Sequence, residues 1–291
     1  MTPALWGAIC ALSLGGADFL ARFTSRGLGA ANALLGMLLV GAALLTLYMA
    51  VAGPPLAWSA GAAWTLVANG VATTAMTLLL YMGLARGPVS VVMPIVAAHP
   101  ALVVAFAVVA QGARPGAFGW AAMAGTILGA VLVAASAEHG GGRGEDEPAF
   151  DPRRLRGTIV IAVLASLCYA LLLIAGQAAV PAYGELHTLW LGRLVSIATL
   201  LLLFAARREA PRLPVRWWPL VTVQGLLDAG GWLALFAGSG GPGSEVAAVA
   251  GSGFGAVTVL LAWVVLRERI GPVQWLGIVL IFGGITVLSA H

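Results

Sequence analysis

Lysine is missing from this chain of 291 residues, and all fifteen of its basic residues are arginine. Charge of either sign is scarce: Asp, Glu, Lys and Arg together make 9% of the sequence, against 60% from the apolar set AVILMFWYC. A soluble domain is about a quarter charged, so too few charges are present here to cover a wetted surface. That shortage excludes a soluble enzyme, a nucleic-acid binder and a disordered scaffold together. Cysteine is limited to Cys10 and Cys168, both inside apolar runs, which excludes a disulfide framework or a thiolate metal cluster. Also missing are a metal-ligand cluster, a nucleophile–base set and a nucleotide motif, one of which an intramembrane enzyme would need. No cofactor, metal or catalytic role is expected.

What the chain has is long apolar runs. A transmembrane helix takes ~20 apolar residues, and ten such stretches can be marked: Pro3–Ala21, Gly29–Val51, Ala60–Leu84, Val89–Ala110, Phe118–Ala135, Gly157–Val180, Leu186–Ala205, Pro219–Ala237, Glu245–Leu266 and Val273–Ser289. In lipid the backbone must satisfy its own hydrogen bonds, and runs of this length do so as helices. Gly-Pro punctuation separates them at Gly87-Pro88, Gly241-Pro242 and Gly271-Pro272. Tryptophans near run ends, Trp58, Trp64, Trp120 and Trp218 among them, suit an interfacial belt. The first run has no Lys or Arg ahead of it and carries Asp18, so it reads as a retained crossing, not a cleaved leader. The fold expected is an all-α integral membrane protein of ten transmembrane helices.

One stretch differs. Residues 138–156, EHGGGRGEDEPAFDPRRLR, are mostly charged, Gly or Pro, and read as a solvated linker with five apolar runs on each side. The chain accordingly divides into 1–137, the linker 138–156, and 157–291. A shift of 154 residues aligns Trp64 with Trp218, Gly87-Pro88 with Gly241-Pro242, Ser90 with Ser244, Ile127 with Ile281 and Gly129 with Gly283. Five crossings is an odd number, so the second copy enters the membrane from the opposite face. The halves become inverted repeats, an arrangement by which many secondary transporters expose one central site alternately to each side.

The second half ends in GFGAVTVLLAWVVLRERIGPVQWLGIVLIFGGITVL. An apolar helix running into Leu266, Glu268 and Arg269, then Pro272, then a last helix punctuated by Gly277 and Gly283-Gly284, resembles the C-terminal signature of the EamA-like permeases of the drug/metabolite transporter (DMT) superfamily. The opening LSLGGADFLARF is similar to the family's start. The resemblance spans essentially the whole chain and implies a ten-helix permease that moves small metabolites, often outward, by alternating access. The first half departs from the motif, because Arg114 stands where the second half has Glu268.

Ionisable groups inside apolar runs cost ~2.5–3.5 kcal/mol to insert, so they usually face a cavity or a partner. Asp228 shares a helical face with Gln224 and Trp232, a stripe that fits binding of a substrate or proton, or an interhelical hydrogen bond. Asp18 stands four residues before Arg22, a spacing that allows an ion pair or a cavity role. Arg193, which resembles an arginine many relatives carry early in this helix, fits a structural salt bridge to Asp228 or Glu245. Glu245 itself opens the ninth run, where a carboxylate suits helix capping. His99 precedes Pro100 and follows Pro94, placing an imidazole where proline frees backbone carbonyls; it reads as a proton or substrate site, or as a buried, singly bonded ring. Tyr81 and Tyr169 fit the same cavity or the core. Gly251-Ser-Gly-Phe-Gly255 reads as close helix packing through small residues, not a phosphate loop.

If the connections alternate sides, thirteen arginines fall on the side of the linker and Arg114 alone falls on the other. The positive-inside rule then places both termini outside the cytoplasm, against the expectation for many relatives; the charge count is followed here. The resulting expectation is a bacterial-type inner-membrane permease of a small polar or amphipathic metabolite, exporting and proton- or gradient-linked. It would be a monomer or weak homo-oligomer in contact with membrane lipid and with no nucleic acid. A lipid-linked carrier or flippase, and a scaffold or sensor without flux, stay open.

Overall fold

The computed structural model describes residues 2–56, 58–112, 114, 116–138, 152–239 and 244–289. Among them are twelve α-helices: α1 (Pro3–Leu28), α2 (Ala30–Ala52), α3 (Ala63–Arg86), α4 (Val89–Ala97), α5 (His99–Gln111), α6 (Ala117–Glu138), α7 (Pro152–Tyr183), α8 (Glu185–Ala206), α9 (Trp218–Ser239), α10 (Ser244–Gly251), α11 (Phe254–Val265) and α12 (Pro272–Ser289). Eight stretches are long and apolar enough to cross a membrane, and Val249–Val265 and Pro272–Val287 are shorter apolar helices. Ten crossings result, because α4 with α5 and α10 with α11 each make one. α7 begins inside the polar stretch, at Pro152; residues 139–151 lie outside the described residues.

The fourth and ninth runs are therefore broken; Pro94 and Pro100 point to a distortion in the fourth, whereas the ninth reads as continuous from the sequence. The breaks fall at Ala98 and at Ser252-Gly253, positions related by the same 154-residue shift. In the first, Pro94 and Pro100 lack the N–H groups that would bond Ser90 and Val96 four residues earlier. Each orphaned carbonyl has a side-chain replacement. Gln274 of α12 donates Nε2–H to the Ser90 oxygen at 3.0 Å, and His99 donates Nδ1–H to the Val96 oxygen at 3.1 Å. In the second break no proline intervenes; Ser252 bonds its Oγ to the Val249 oxygen at 2.7 Å as the chain turns.

The helix pairing maps onto itself when the halves are exchanged. α1 packs on α9 as α3 packs on α7; α2 on α9 as α8 on α3; α1 on α10 and α11 as α7 on α4 and α5. The self-paired contacts are α6 with α12, α2 with α8 and α4 with α11. Their direction is readable from close approaches. A Cβ on Gly129 would lie 2.5 Å from the Gly277 oxygen, and one on Gly277 would lie 2.7 Å from the Gly129 oxygen. Ala122 and Thr126, earlier on α6, meet Gly284, later on α12. α6 and α12 are thus antiparallel, as repeat mates must be in an inverted pair. Bare backbone lets these helices touch, the small-residue packing expected where lipid supplies no hydrophobic drive between helices.

Large apolar residues on the outer faces, such as Leu12, Leu47, Val109 and Leu202, are exposed and meet the acyl region. The inside combines large apolar residues such as Leu34, Leu38, Met93 and Leu200 with small and polar ones. Thr74 and Ser196 bond across α3 and α8 to the Ser196 and Gly70 oxygens, and Thr258 of α11 donates to the Gly15 oxygen of α1.

Candidate functional site

A cavity of about 250 Å³ lies between the halves, lined from α2, α3, α7, α8 and α9. Its rim is at Gln177, Val180 and Glu185, where α7 stops and α8 starts, and its floor reaches Met37, Met76 and Thr77 near mid-helix. Trp232 and Phe236 form an aromatic wall on α9, with ring centroids 6.3 Å apart. Most of the remaining lining is apolar, from Leu38, Leu172, Leu173 and Leu189.

Besides Glu185 at the rim, the charge in that lining is one ion pair. Arg193 of α8 donates Nη2–H to Asp228 Oδ2 of α9. Arg193 is buried, its Nη1 packs where a side chain on Gly41 would stand, and neither Nη1 nor Nε has a hydrogen-bond partner among the described residues. Thr188 Oγ1, one turn nearer the rim, is also buried without a partner. Unserved donors in a low-dielectric interior are costly, so this wall carries unmet hydrogen-bonding capacity beside the cavity. Asp18 on α1 adds a second carboxylate within electrostatic reach of Asp228.

The opposite end is shut by two polar layers. In the first, Thr24 of α1 donates to Gln224 Oε1 at 2.8 Å, and Gln224 Nε2 donates to the Tyr81 hydroxyl at 2.6 Å, joining α1, α9 and α3. In the second, Glu268 is 1% exposed. Its Oε1 accepts from Val89 N–H at 2.9 Å and from Arg22 Nη1 at 3.0 Å, and its Oε2 accepts from Ser90 N–H at 2.9 Å. These N–H groups open α4, so the carboxylate serves donors that a helix start leaves orphaned and meets the positive end of its dipole. Arg22 also donates to the Gly87 oxygen at 3.3 Å, completing a clasp between the second half's loop and the first half's α3–α4 corner.

The structure thus unites Asp228, Trp232 and Arg193 at the cavity and sets the other candidates around it. Gln224, Tyr81 and Asp18 lie outside its lining, the first two in the layer beneath. His99 stacks on Tyr169 at 3.7 Å with planes 13° apart, also outside the lining, and Tyr169 faces Phe254 at the other break. Among the described residues Arg22 pairs with Glu268 and not with Asp18, the partner that spacing allowed. Arg193 takes Asp228; the side chain of Glu245, the other partner expected for it, lies outside the described residues. The glycine run at residues 251–255 is a helix break as well as a close contact, with Gly255 against Ala97 and Phe282.

Sequence reading passed over Asn69, Thr73, Thr77, Gln177, Thr188 and Glu185, all in the lining. A signal existed for the first three: with Tyr81 they recur every four residues along α3, a polar stripe on an apolar helix. Asn69 is fixed there, donating Nδ2–H to the Leu172 oxygen at 2.9 Å with its Oδ1 against Gly192.

Comparison with known proteins follows this architecture. No curated protein matches the sequence. A solved structure titled "Crystal structure of protein" superposes with a TM-score of 0.64 at 16% identity, over 98% of this chain and 95% of that one, which shows a shared fold. The model of the EamA-like transporter family matches twice, at residues 1–135 and 156–290. The matches take in nearly the whole of both antiparallel halves, so the chain is an integral membrane protein of the DMT type and belongs to the EamA-like transporter family.

Proposed function

We propose that the protein is a secondary permease that moves a small amphipathic metabolite by alternating access through the cavity between its halves. The observation that carries this reading is the cavity itself: it lies at the interface of antiparallel repeats, holds the Arg193–Asp228 pair, and has a rim at one end and a double polar seal at the other. Asp228 and Arg193 offer a charge of each sign to a polar head, while Trp232, Phe236, Met37 and Met76 offer apolar and cation–π contact to a body. Asp18, a second carboxylate within electrostatic reach of Asp228, is the one we assign to proton linkage, since two neighbouring acids do not readily both ionise away from water.

The sealed end is the arginine-rich one, where Arg22 and Arg269 lie, and the rim is at the end with few arginines. With arginine-rich loops in the cytoplasm, this form is open outward and both termini are outside, as in an inner-membrane exporter after release. The units 1–137 and 157–291, joined by the polar segment, are the two moving bodies.

The test is counterflow in proteoliposomes preloaded in turn with amines, amino acids, sugars and nucleobases. The reading expects flux for at least one amphipathic class, abolished in Asp228→Asn and Arg193→Gln proteins that still fold. Wild-type flux in Asp228→Asn across the pH range would overturn the site assignment. Absence of flux for every class would favour a scaffold or sensor.

A further inference from the structure

A second cleft, of about 600 Å³, opens where α11 ends and turns toward α12, lined by Trp263, Val264, Arg267, Glu268, Arg269 and Ile270. It lies on the outside of the clasp, away from the central cavity. The three charged residues in a row do not behave alike: Glu268 is buried while Arg267 and Arg269 are exposed. Arg267 achieves this with φ of 51°, a left-handed backbone that residues other than glycine seldom adopt. That twist goes with Glu268 turned in toward α4 and with Arg267 and Arg269 exposed on either side of it. Trp263 and Val264, on the last turn of α11, are 48% and 64% exposed and continue the cleft down the helix toward the acyl region. Two cations at the mouth, with an indole and a branched aliphatic below them, match an amphiphile with an anionic head.

We propose that this cleft binds one anionic phospholipid, its phosphate held by Arg267 and Arg269 and its acyl chains lying along Trp263 and Val264. A free phosphate would engage the arginines alone and would leave the apolar wall unused. The bound lipid would brace the loop that carries Glu268, so the composition of the leaflet would bear on how firmly the arginine-rich end is shut.

The experiment is native mass spectrometry of the purified full-length protein in detergent, titrated with phosphatidylglycerol, with phosphatidylcholine and separately with inorganic phosphate. Wild-type protein is expected to retain one phosphatidylglycerol that Arg267→Gln/Arg269→Gln loses, with affinity falling about thirty-fold for two basic residues at the surface. Arg267→Lys/Arg269→Lys, which keeps the charge, should retain most of that affinity, and Trp263→Ala should weaken phosphatidylglycerol without creating phosphate binding. Arg153→Gln/Arg154→Gln, altered in exposed arginines of α7 that lie outside the cleft, should bind as wild type. Unchanged binding in Arg267→Gln/Arg269→Gln, an equal loss in the α7 variant, equal retention of phosphatidylcholine, or saturation by phosphate alone would each overturn the proposal.

Discussion

Replacing Glu268 with glutamine keeps the side chain's size and removes its charge, which makes it a sharp probe of the seal. The carboxylate receives three donors, two backbone N–H groups at 2.9 Å and Arg22 at 3.0 Å, in a site that is 1% exposed. A hydrogen bond to a charged group contributes about 1.5–3 kcal/mol, and breaking a buried ion pair at one partner costs about 3–5 kcal/mol. Glutamine can still accept from one N–H while its amide hydrogens face another donor, so a loss of about 3 kcal/mol is expected for the closed form. A state already open at the arginine-rich end has given up these contacts and loses little. The equilibrium between the two should therefore move by about a hundredfold toward opening. The assay is a cysteine at Thr77, on the cavity floor, in a background with Cys10 and Cys168 replaced by alanine. A membrane-impermeant maleimide applied from the arginine-rich face should label Glu268→Gln protein and spare the parent. The charge swap Arg22→Glu with Glu268→Arg should not restore protection, because a guanidinium cannot accept from Val89 and Ser90. Parent-like labelling from that face, accompanied by a lowered melting temperature, would show that the glutamate holds the fold together and does not gate it.

Four further outcomes follow from the same geometry. Gly41→Ala places a methyl on Arg193 Nη1 and should separate the Arg193–Asp228 pair, lowering counterflow at least tenfold at a stability cost of about 1–3 kcal/mol, read by thermal unfolding. Gly277→Ala pushes against the Gly129 oxygen and should lower the melting temperature in detergent by a similar cost, with the double change Gly129→Ala/Gly277→Ala worse than either. Gln224→Leu strands the Tyr81 hydroxyl in a buried layer, while Thr24 keeps the Leu20 and Ala21 oxygens, and should cost about 1–3 kcal/mol, read by thermal unfolding; Gln224→Glu, whose carboxylate can accept from both hydroxyls, should cost less. His99→Phe keeps the stack on Tyr169 and loses only the bond to Val96, so flux should keep its pH dependence, while Asp18→Asn should flatten it; a flattened profile in His99→Phe would return the proton to the imidazole.

Much of the architecture was legible because lipid enforces a simple grammar: long apolar runs must be helices, and an odd count per half inverts the second. The 154-residue shift anticipated the repeat, although not that both fourth helices would break at its equivalent points. Pro94 and Pro100 marked one break; the other depended on Ser252-Gly253, where small residues are as common in unbroken packed helices. Asp228 and Trp232 stood out as rare residues on one face, and they line the cavity. The partner of Arg22 did not stand out. Local spacing allowed Asp18, while Glu268 lies 246 residues away and its pairing depends on how two halves dock. The threonines of α3 were passed over because a hydroxyl in an apolar helix usually bonds its own backbone, and Thr73 and Thr74 do bond the Asn69 and Gly70 oxygens.

The crossing of α6 and α12 at Gly129 and Gly277 has a consequence for motion. Contacts between repeat mates sit on the pseudo-symmetry axis, the one locus that stays in place when the two halves trade conformations. With glycine on both sides of the crossing the two backbones touch directly, Ile281 and Val133 packing beside them. In the alternating-access reading proposed above, that crossing serves as a fulcrum, and the broken helices, which meet through α4 and α11, supply the bends.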